Sequence, residues 1–278
     1  MTDPAERPFP RARKRFGQHF LEPAWVTRLV TAVDPRPDDT FLEIGPGRGA
    51  LTKVLAPRVE RVIAVEVDRD LAAALPNHVP PNVQVIEGDF LAMDLAGLLR
   101  AARPATPGQA SPTRVIGNLP YNISSPILFK LLDAADEGRR FRDATLMLQK
   151  EVGDRLIAPP GSGDYGTLAI QVARVADVER LLTLPPGAFR PPPQVTSVVV
   201  RLRFRPSAVD VGRPDVFEKV VRGMFLQRRK TLANALKPVA TALGRSAGEV
   251  LEGAGVDGRR RPETLTLAEI GRICRAML

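Results

Sequence analysis

Apolar residues in the first two thirds of the chain come in short, dense runs. Thr40-Phe41-Leu42-Glu43-Ile44, Arg61 to Val65, Val83-Gln84-Val85-Ile86-Glu87, Thr113-Arg114-Val115-Ile116-Gly117 and Ala144 to Leu148 are such runs. They are too short for helices and rich in β-branched residues, so they predict strands buried on both faces of a parallel sheet. Residues 178–184 and 195–203 predict two closing strands. Helical spacing occurs between the runs, over 23–33, 50–55, 124–133, 150–157 and 165–175. In the first of these helices, Trp25 is expected in the core with Val26, Leu29, Val30 and Val33. Beyond a hinge at 205–214 the pattern is helical alone, over 215–226, 229–242, 246–253 and 266–277. Residues 1–15 and 103–112 read as Pro-rich mobile segments, and 158–164 as a lid able to move. The class is therefore α/β, with a sheet domain over 1–205 and an all-α domain over 206–278.

The length of 278 residues suits such a pair of domains. No apolar run is long enough to span a bilayer. Arg7, Arg11, Arg13, Lys14 and Arg15 are too dispersed for a secretion signal, so a cytoplasmic location is expected. Cys274 is the only cysteine; it excludes an intrachain disulfide and reads as a buried small hydrophobe. Two histidines and one cysteine argue against a protein-built zinc centre. Charge is unevenly distributed: residues 1–185 carry 23 basic and 23 acidic side chains, whereas 186–278 carry 17 and 8. The whole net charge of +9 lies in the last third, which points to a polyanion such as nucleic acid. Within it, Arg228-Arg229-Lys230 begins or interrupts a helix. Three cations at a helix start oppose the macrodipole, so phosphate binding is their expected role.

Candidate chemistry falls at the strand ends. Gly45-Pro46-Gly47-Arg48-Gly49 follows the first strand and opens a helix, a loop shared by dinucleotide-binding and methyltransferase folds. Glu43 beside it either pairs locally or faces a ligand. Glu66 ends the second strand, about twenty positions on, where a carboxylate suits ribose hydroxyls. Asp89 follows the third strand and is placed to accept from an adenine amine or to form an Asx turn; Phe90 or Leu91 would supply an apolar wall. Asp68 and Asp70 read as charges at a helix N-terminus. Asn118-Leu119-Pro120-Tyr121 stands at the carboxyl end of the fourth run. An exocyclic adenine amine is a poor nucleophile because its lone pair is delocalised into the ring. An Asn oxygen and a backbone carbonyl that accept its N–H bonds free that lone pair. Pro120 restricts Leu119, and Tyr121 offers a flat face for a base. The plain alternative is a strand-to-helix turn. Phe189, held by Pro191-Pro192-Pro193, could stack on a flipped base or sit in the core.

Taken in order, residues 16–21, 43–49, 65–70, 88–90, 117–126, 147–152, 189–200 and 227–232 make the chain resemble the small-subunit (16S) rRNA adenine dimethyltransferases, of the rRNA adenine N-6-methyltransferase family. The resemblance implies a Rossmann-like, seven-stranded, mostly parallel methyltransferase domain with a small helical domain after it. It implies S-adenosylmethionine as donor, and two adjacent adenines in a hairpin near the 3′ end of small-subunit rRNA as acceptors, within the assembling 30S particle. His19, Leu21, Gly45, Gly47, Glu66, Asp89 and Asn118 would bind the cofactor. Asn118, Leu119, Pro120, Tyr121 and Phe189 would form the catalytic wall. The family commonly has Asn where this chain has His19. Competing readings are a large-subunit rRNA methyltransferase of the macrolide-resistance kind, a DNA adenine methyltransferase, and a non-catalytic ribosome-assembly factor. Nothing in the sequence calls for an obligate dimer.

Overall fold

The seven predicted strands pair into one sheet, in the order Val83–Glu87, Arg61–Glu66, Thr40–Ile44, Thr113–Asn118, Phe141–Gln149, Ser197–Phe204, Ala176–Leu184. The computed structural model describes residues 19–101, 112–136, 141–207 and 209–278. The expectations for 1–15 and 103–111 lie outside these residues, as do Phe16, Gly17 and Gln18. In chain order the strands are β1 (Phe20–Leu21), β2 (Thr40–Ile44), β3 (Arg61–Glu66), β4 (Val83–Glu87), β5 (Thr113–Asn118), β6 (Phe141–Gln149), β7 (Ala176–Leu184), β8 (Phe189–Arg190) and β9 (Ser197–Phe204). The helices are α1 (Pro23–Val33), α2 (Ala50–Leu55), α3 (Arg69–Ala74), α4 (Leu95–Ala101), α5 (Ser124–Asp136), α6 (Lys150–Leu156), α7 (Thr167–Val175), α8 (Pro214–Leu226), α9 (Leu232–Ala242), α10 (Ala247–Ala254) and α11 (Leu267–Ala276).

β2 pairs in parallel with β3 and β5, β3 with β4, and β5 with β6, while β9 runs antiparallel to β6. In β2, β3 and β5 the continuous apolar runs follow from burial on both faces, whereas β4, expected to be buried likewise, is the edge strand and stays partly exposed along its length. Phe41, Val62, Ile116, Met147 and Val199 join one core with α1 and α2, and the alternating Leu42, Ile63 and Val115 are equally buried. Strand order reverses between β2 and β5, so the crevice of this fold opens at their carboxyl ends. Gly117 permits the close approach there, since a Cβ on it would lie 2.9 Å from the Ile44 carbonyl oxygen. Trp25 is half-buried rather than fully in the core: it packs at the core's edge, with the Arg28 guanidinium 4.7 Å from its ring centroid.

The chain divides into two compact units, residues 1–153 with 178–204, and 154–177 with 205–278. The second unit thus includes an excursion that the pattern assigned to the first domain. Its core joins Ala169 and Ile170 of α7 to Phe217, Val220, Leu236, Ile270 and Cys274. Cys274 is fully buried, which pushes its thiol up to about 12 and removes thiolate chemistry. The 158–164 segment is not a free lid in this unit. The Gly161 amide donates to the Glu263 carbonyl at 2.7 Å, Arg228 donates to the Gly163 carbonyl at 2.9 Å, and the adjacent Tyr165 hydroxyl donates to Leu265 at 2.8 Å. The 205–214 segment is likewise held: Gly212 donates to Asp210 Oδ1, and Gly271 leaves room for the Asp210 carbonyl, which a Cβ would approach to 2.8 Å.

Candidate active site

Two neighbouring cavities lie over the carboxyl ends of β2, β3 and β5. One is lined by His19, Leu21, Glu43, Gly45, Gly47, Glu66, Asn118, Leu119, Pro120, Tyr121 and Met147, among others. The other is lined by Gly45, Val67, Asp89, Phe90, Leu91, Pro120 and Ile127, among others. Gly45, Val67 and Pro120 are shared, so the cavities meet along one ridge. Residues far apart in the chain converge here because parallel strands bring all their carboxyl ends to one edge.

The glycine loop approaches the cavity with positive φ, 69° at Gly45 and 59° at Gly47, a conformation that favours glycine. A Cβ on Gly45 would meet nothing within 4 Å, so the space beside it is open. The Gly47 amide is already spent, donating to Glu66 Oε2 at 2.9 Å. Glu66 Oε1 accepts from Asp68 at 2.9 Å, and Asp68 in turn caps α3 by accepting from Asp70. Glu66 is buried, and burial raises its carboxyl pKa despite these bonds. Glu43 is fully buried and accepts from the Thr52 hydroxyl at 2.7 Å. Burial, with the Glu66 charge adding, pushes it up to about 7 even though the Thr52 bond works in the other direction. Of the two alternatives for Glu43, the structure shows the local pairing, with Thr52, and also places Glu43 among the residues lining the first cavity.

Asn118 ends β5, and its amide nitrogen donates to the His19 carbonyl at 2.7 Å. That bond leaves Oδ1 as the acceptor of the side chain. In the turn that follows, Pro120 accepts from the Ile123 amide and Tyr121 from the Ser124 hydroxyl. Among the described residues no donor is assigned to the Leu119 carbonyl. Tyr121 is held edge and face: its hydroxyl bonds Ser197 Oγ at 2.7 Å, and the His19 ring stacks on it at 5.7 Å. His19 Nδ1 donates to the Pro191 carbonyl at 2.8 Å, so this histidine ties β1, the Pro-rich segment and the Asn118 turn together. Burial raises the Tyr121 hydroxyl pKa, against the Ser197 bond.

Phe189 is not brought to either cavity. β8 pairs with β1, Phe189 opposite Leu21, and the ring is fully buried in the core behind that strand. Asp89 is exposed, and its Oδ1 accepts from Leu91 at 2.9 Å, the Asx-turn bond; Oδ2 remains for a ligand. Arg228-Arg229-Lys230 lies between α8 and α9, whose N-cap is Thr231, so these cations do not start a helix. Arg228 bonds Glu263 at 3.1 Å and the Gly163 carbonyl. Arg229 and Lys230 are exposed, and Lys230 shares an open groove with Asn234 and Lys237. The motifs did not single out Thr52, Lys130 or Ser197 as individual residues; only Ser197 lay within a motif stretch, 189–200.

The family described as ribosomal RNA adenine dimethylase matches residues 10–271. The chain is 45% identical over 275 residues to a Geobacter metallireducens protein named ribosomal RNA small subunit methyltransferase A, covering 96% of each. It is 43% identical over 263 residues to an Acinetobacter baylyi protein of the same name, covering 93% of this chain and 90% of that one. Among solved structures, a dimethyladenosine transferase from Plasmodium falciparum superposes with a TM-score of 0.77 at 26% identity, over 92% of this chain and 96% of its own. The 23S rRNA methyltransferase ErmE does so with a TM-score of 0.60 at 25% identity, over 97% and 99%.

Proposed function

The chain belongs to the ribosomal RNA adenine dimethylase family, and we propose on that premise that it dimethylates two adjacent adenines in a hairpin near the 3′ end of small-subunit rRNA. It is an rRNA adenine dimethyltransferase, and S-adenosylmethionine is the donor we assign to it. The cavity suits that donor better than a dinucleotide. A pyrophosphate needs free loop amides, yet Gly47 gives its amide to Glu66, and Glu43 and Glu66 line the same cavity. Buried carboxyl groups repel a polyanion wherever they ionise, and a cationic ligand favours their ionised form.

S-adenosylmethionine supplies an electrophilic methyl group on a positively charged sulfur. The chain's residues do the rest. Glu66 keeps lone pairs beyond those given to Gly47 and Asp68, enough to accept from ribose hydroxyls. Asp89 accepts from the cofactor's adenine amine, with Phe90 and Leu91 as wall. His19, Leu21 and the open side of Gly45 border the methionine end. Asn118 Oδ1 and the Leu119 carbonyl accept the two hydrogens of the target amine and draw its nitrogen towards a tetrahedral shape. Tyr121, fixed by Ser197 and His19, presents one ring face to the base, and Pro120 shapes the turn that aims Leu119. Phe189 supports Leu21 from the core side instead of touching the base. Arg229 and Lys230 contact phosphates, while Arg228 braces its own unit.

The observation that carries this reading is the pinned Asn118 amide, because it commits Oδ1 to accepting. The acceptor particle is taken to be the assembling small subunit in the cytoplasm, and the enzyme to act as a monomer. The test offers labelled S-adenosylmethionine to small and to large subunits lacking the modification, then maps the labelled bases. Label on paired adenines of the small subunit is expected; label on the large subunit alone would overturn the assignment. Replacing Arg229 and Lys230 by Gln should flatten the plot of log affinity against log salt by roughly 0.7–0.9 for each phosphate no longer neutralised.

A further inference from the structure

The loop after β4 carries Asp89 and Phe90 to the second cavity, and it satisfies its own amides. Leu91 donates to Asp89 Oδ1 at 2.9 Å, and Ala92 and Met93 donate to the carbonyls of Asp89 and Phe90. The carbonyls of Leu91 and Met93 receive their donor from elsewhere. Lys130 Nζ, in the middle of α5, lies 2.7 Å from the first and 2.6 Å from the second. The same ammonium stands 5.6 Å from the Phe90 ring centroid.

A lysine on a helix ordinarily leaves its ammonium in water. Ordering four rotatable bonds costs side-chain entropy, so two short charge-assisted bonds signal a fixed geometry. α5 also supplies Ile127 to that cavity. The bonds therefore join the loop to a helix that lines the same cavity, across 37 and 39 residues of chain.

We propose that Lys130 is a positioning residue for the cofactor's adenine, holding Asp89 and Phe90 in register with the rest of the site. The proposal rests on the assignment of Asp89 to that adenine. Lys130 touches no reacting atom, so its loss acts on cofactor binding and leaves the chemical step alone.

The experiment measures S-adenosylmethionine binding by calorimetry, and steady-state methylation of unmodified small subunits, for the full chain and its variants. Lys130→Met should weaken binding and raise the KM for S-adenosylmethionine about tenfold, the range expected when a charge-assisted bond is removed. The kcat at saturation and the KM for subunits should stay within about twofold, and Lys130→Arg should restore binding to within about threefold, its fork reaching both carbonyls. The double variant Asp89→Ala with Lys130→Met should bind less weakly than the product of the two single losses, because part of the Lys130 effect runs through Asp89. Parent-like binding by Lys130→Met, or full additivity with Asp89→Ala, overturns the proposal. If Asp89→Ala itself binds like the parent, the adenine assignment falls and the proposal with it. A uniform loss of melting temperature and kcat in both Lys130 variants, with KM unmoved, would show a merely structural lysine and overturn it as well.

Discussion

At the amino ends of β2, β5 and β6 the first unit buries Arg114 at 2% exposure, and the fold gives each of its three nitrogens a partner. Its guanidinium donates to both oxygens of Asp143 at 3.0 and 3.1 Å, to Asp39 at 2.7 Å, and to the carbonyls of Val33 and Asp34 at the end of α1. Arg142 takes the other oxygen of Asp39 at 3.2 Å. Burial lowers the Arg114 pKa, yet Asp143 and Asp39 outweigh it and the net shift is upward. At the carboxyl ends of the same strands the arrangement is reversed. Glu43 and Glu66 are as deeply buried, but among the described residues neither forms an ion pair, and Asn118 keeps an acceptor in reserve. One end of the sheet closes its charges on themselves, which holds the fold. The other leaves them partly unspent, which is what a cationic ligand and a target amine require.

Substitutions at the two ends should therefore fail in different ways. Arg114→Met strands two buried carboxylates and should cost about 3–5 kcal/mol in denaturant unfolding. A loss below about 1 kcal/mol would mean the amino end is not the structural one. Asn118→Ala should melt like the parent yet lose about a hundredfold in single-turnover rate, roughly 3 kcal/mol of transition-state stabilisation; rates within about threefold of the parent would refute its role. Glu66→Ala should weaken S-adenosylmethionine binding by about 1.5–3 kcal/mol, as charge-assisted bonds are removed, and calorimetry giving an unchanged Kd would place the ribose elsewhere.

Glu43 offers the finest test, through pH. Its folded pKa of about 7 stands above the ordinary 4.5, so between these values the folded state binds more protons than the unfolded one. Stability contributed by this group is therefore full below about 4.5, falls as pH rises to about 7, and levels off beyond. Glu43→Gln should erase that slope and gain on the parent across the window in thermal melts at fixed ionic strength. Parallel curves for the two proteins would show that the carboxyl is solvated.

The sheet was legible from the chain because strands buried on both faces need unbroken apolar runs, and β2, β3 and β5 were bounded to within a residue; β4 was bounded as closely, although as an edge strand it stays partly exposed. Strand-end residues followed directly, since the motif at Asn118 and the carboxylate at Glu66 sit where those runs stop. What escaped had its partner far away. The apolar stripe of α7 says that the helix is covered, but only packing decides that Phe217 and Ile270 cover it. The 158–164 segment reads as loose by composition, but its Gly161 amide bonds Glu263 and its Gly163 carbonyl accepts from Arg228. α9 begins at 232 instead of 229, with Thr231 as its N-cap, and Arg228 before it bonds the distant Glu263. β8 is two residues long, too short for any period, so pairing with β1 alone sends Phe189 inward. Lys130 looks like any exposed helix lysine until α5 lies against the Asp89 loop. Local pattern selects which side chains leave water, because that depends on hydrophobicity and spacing. Hydrogen-bond partners depend on distances of a few ångströms between segments distant in sequence, and only the folded chain sets those.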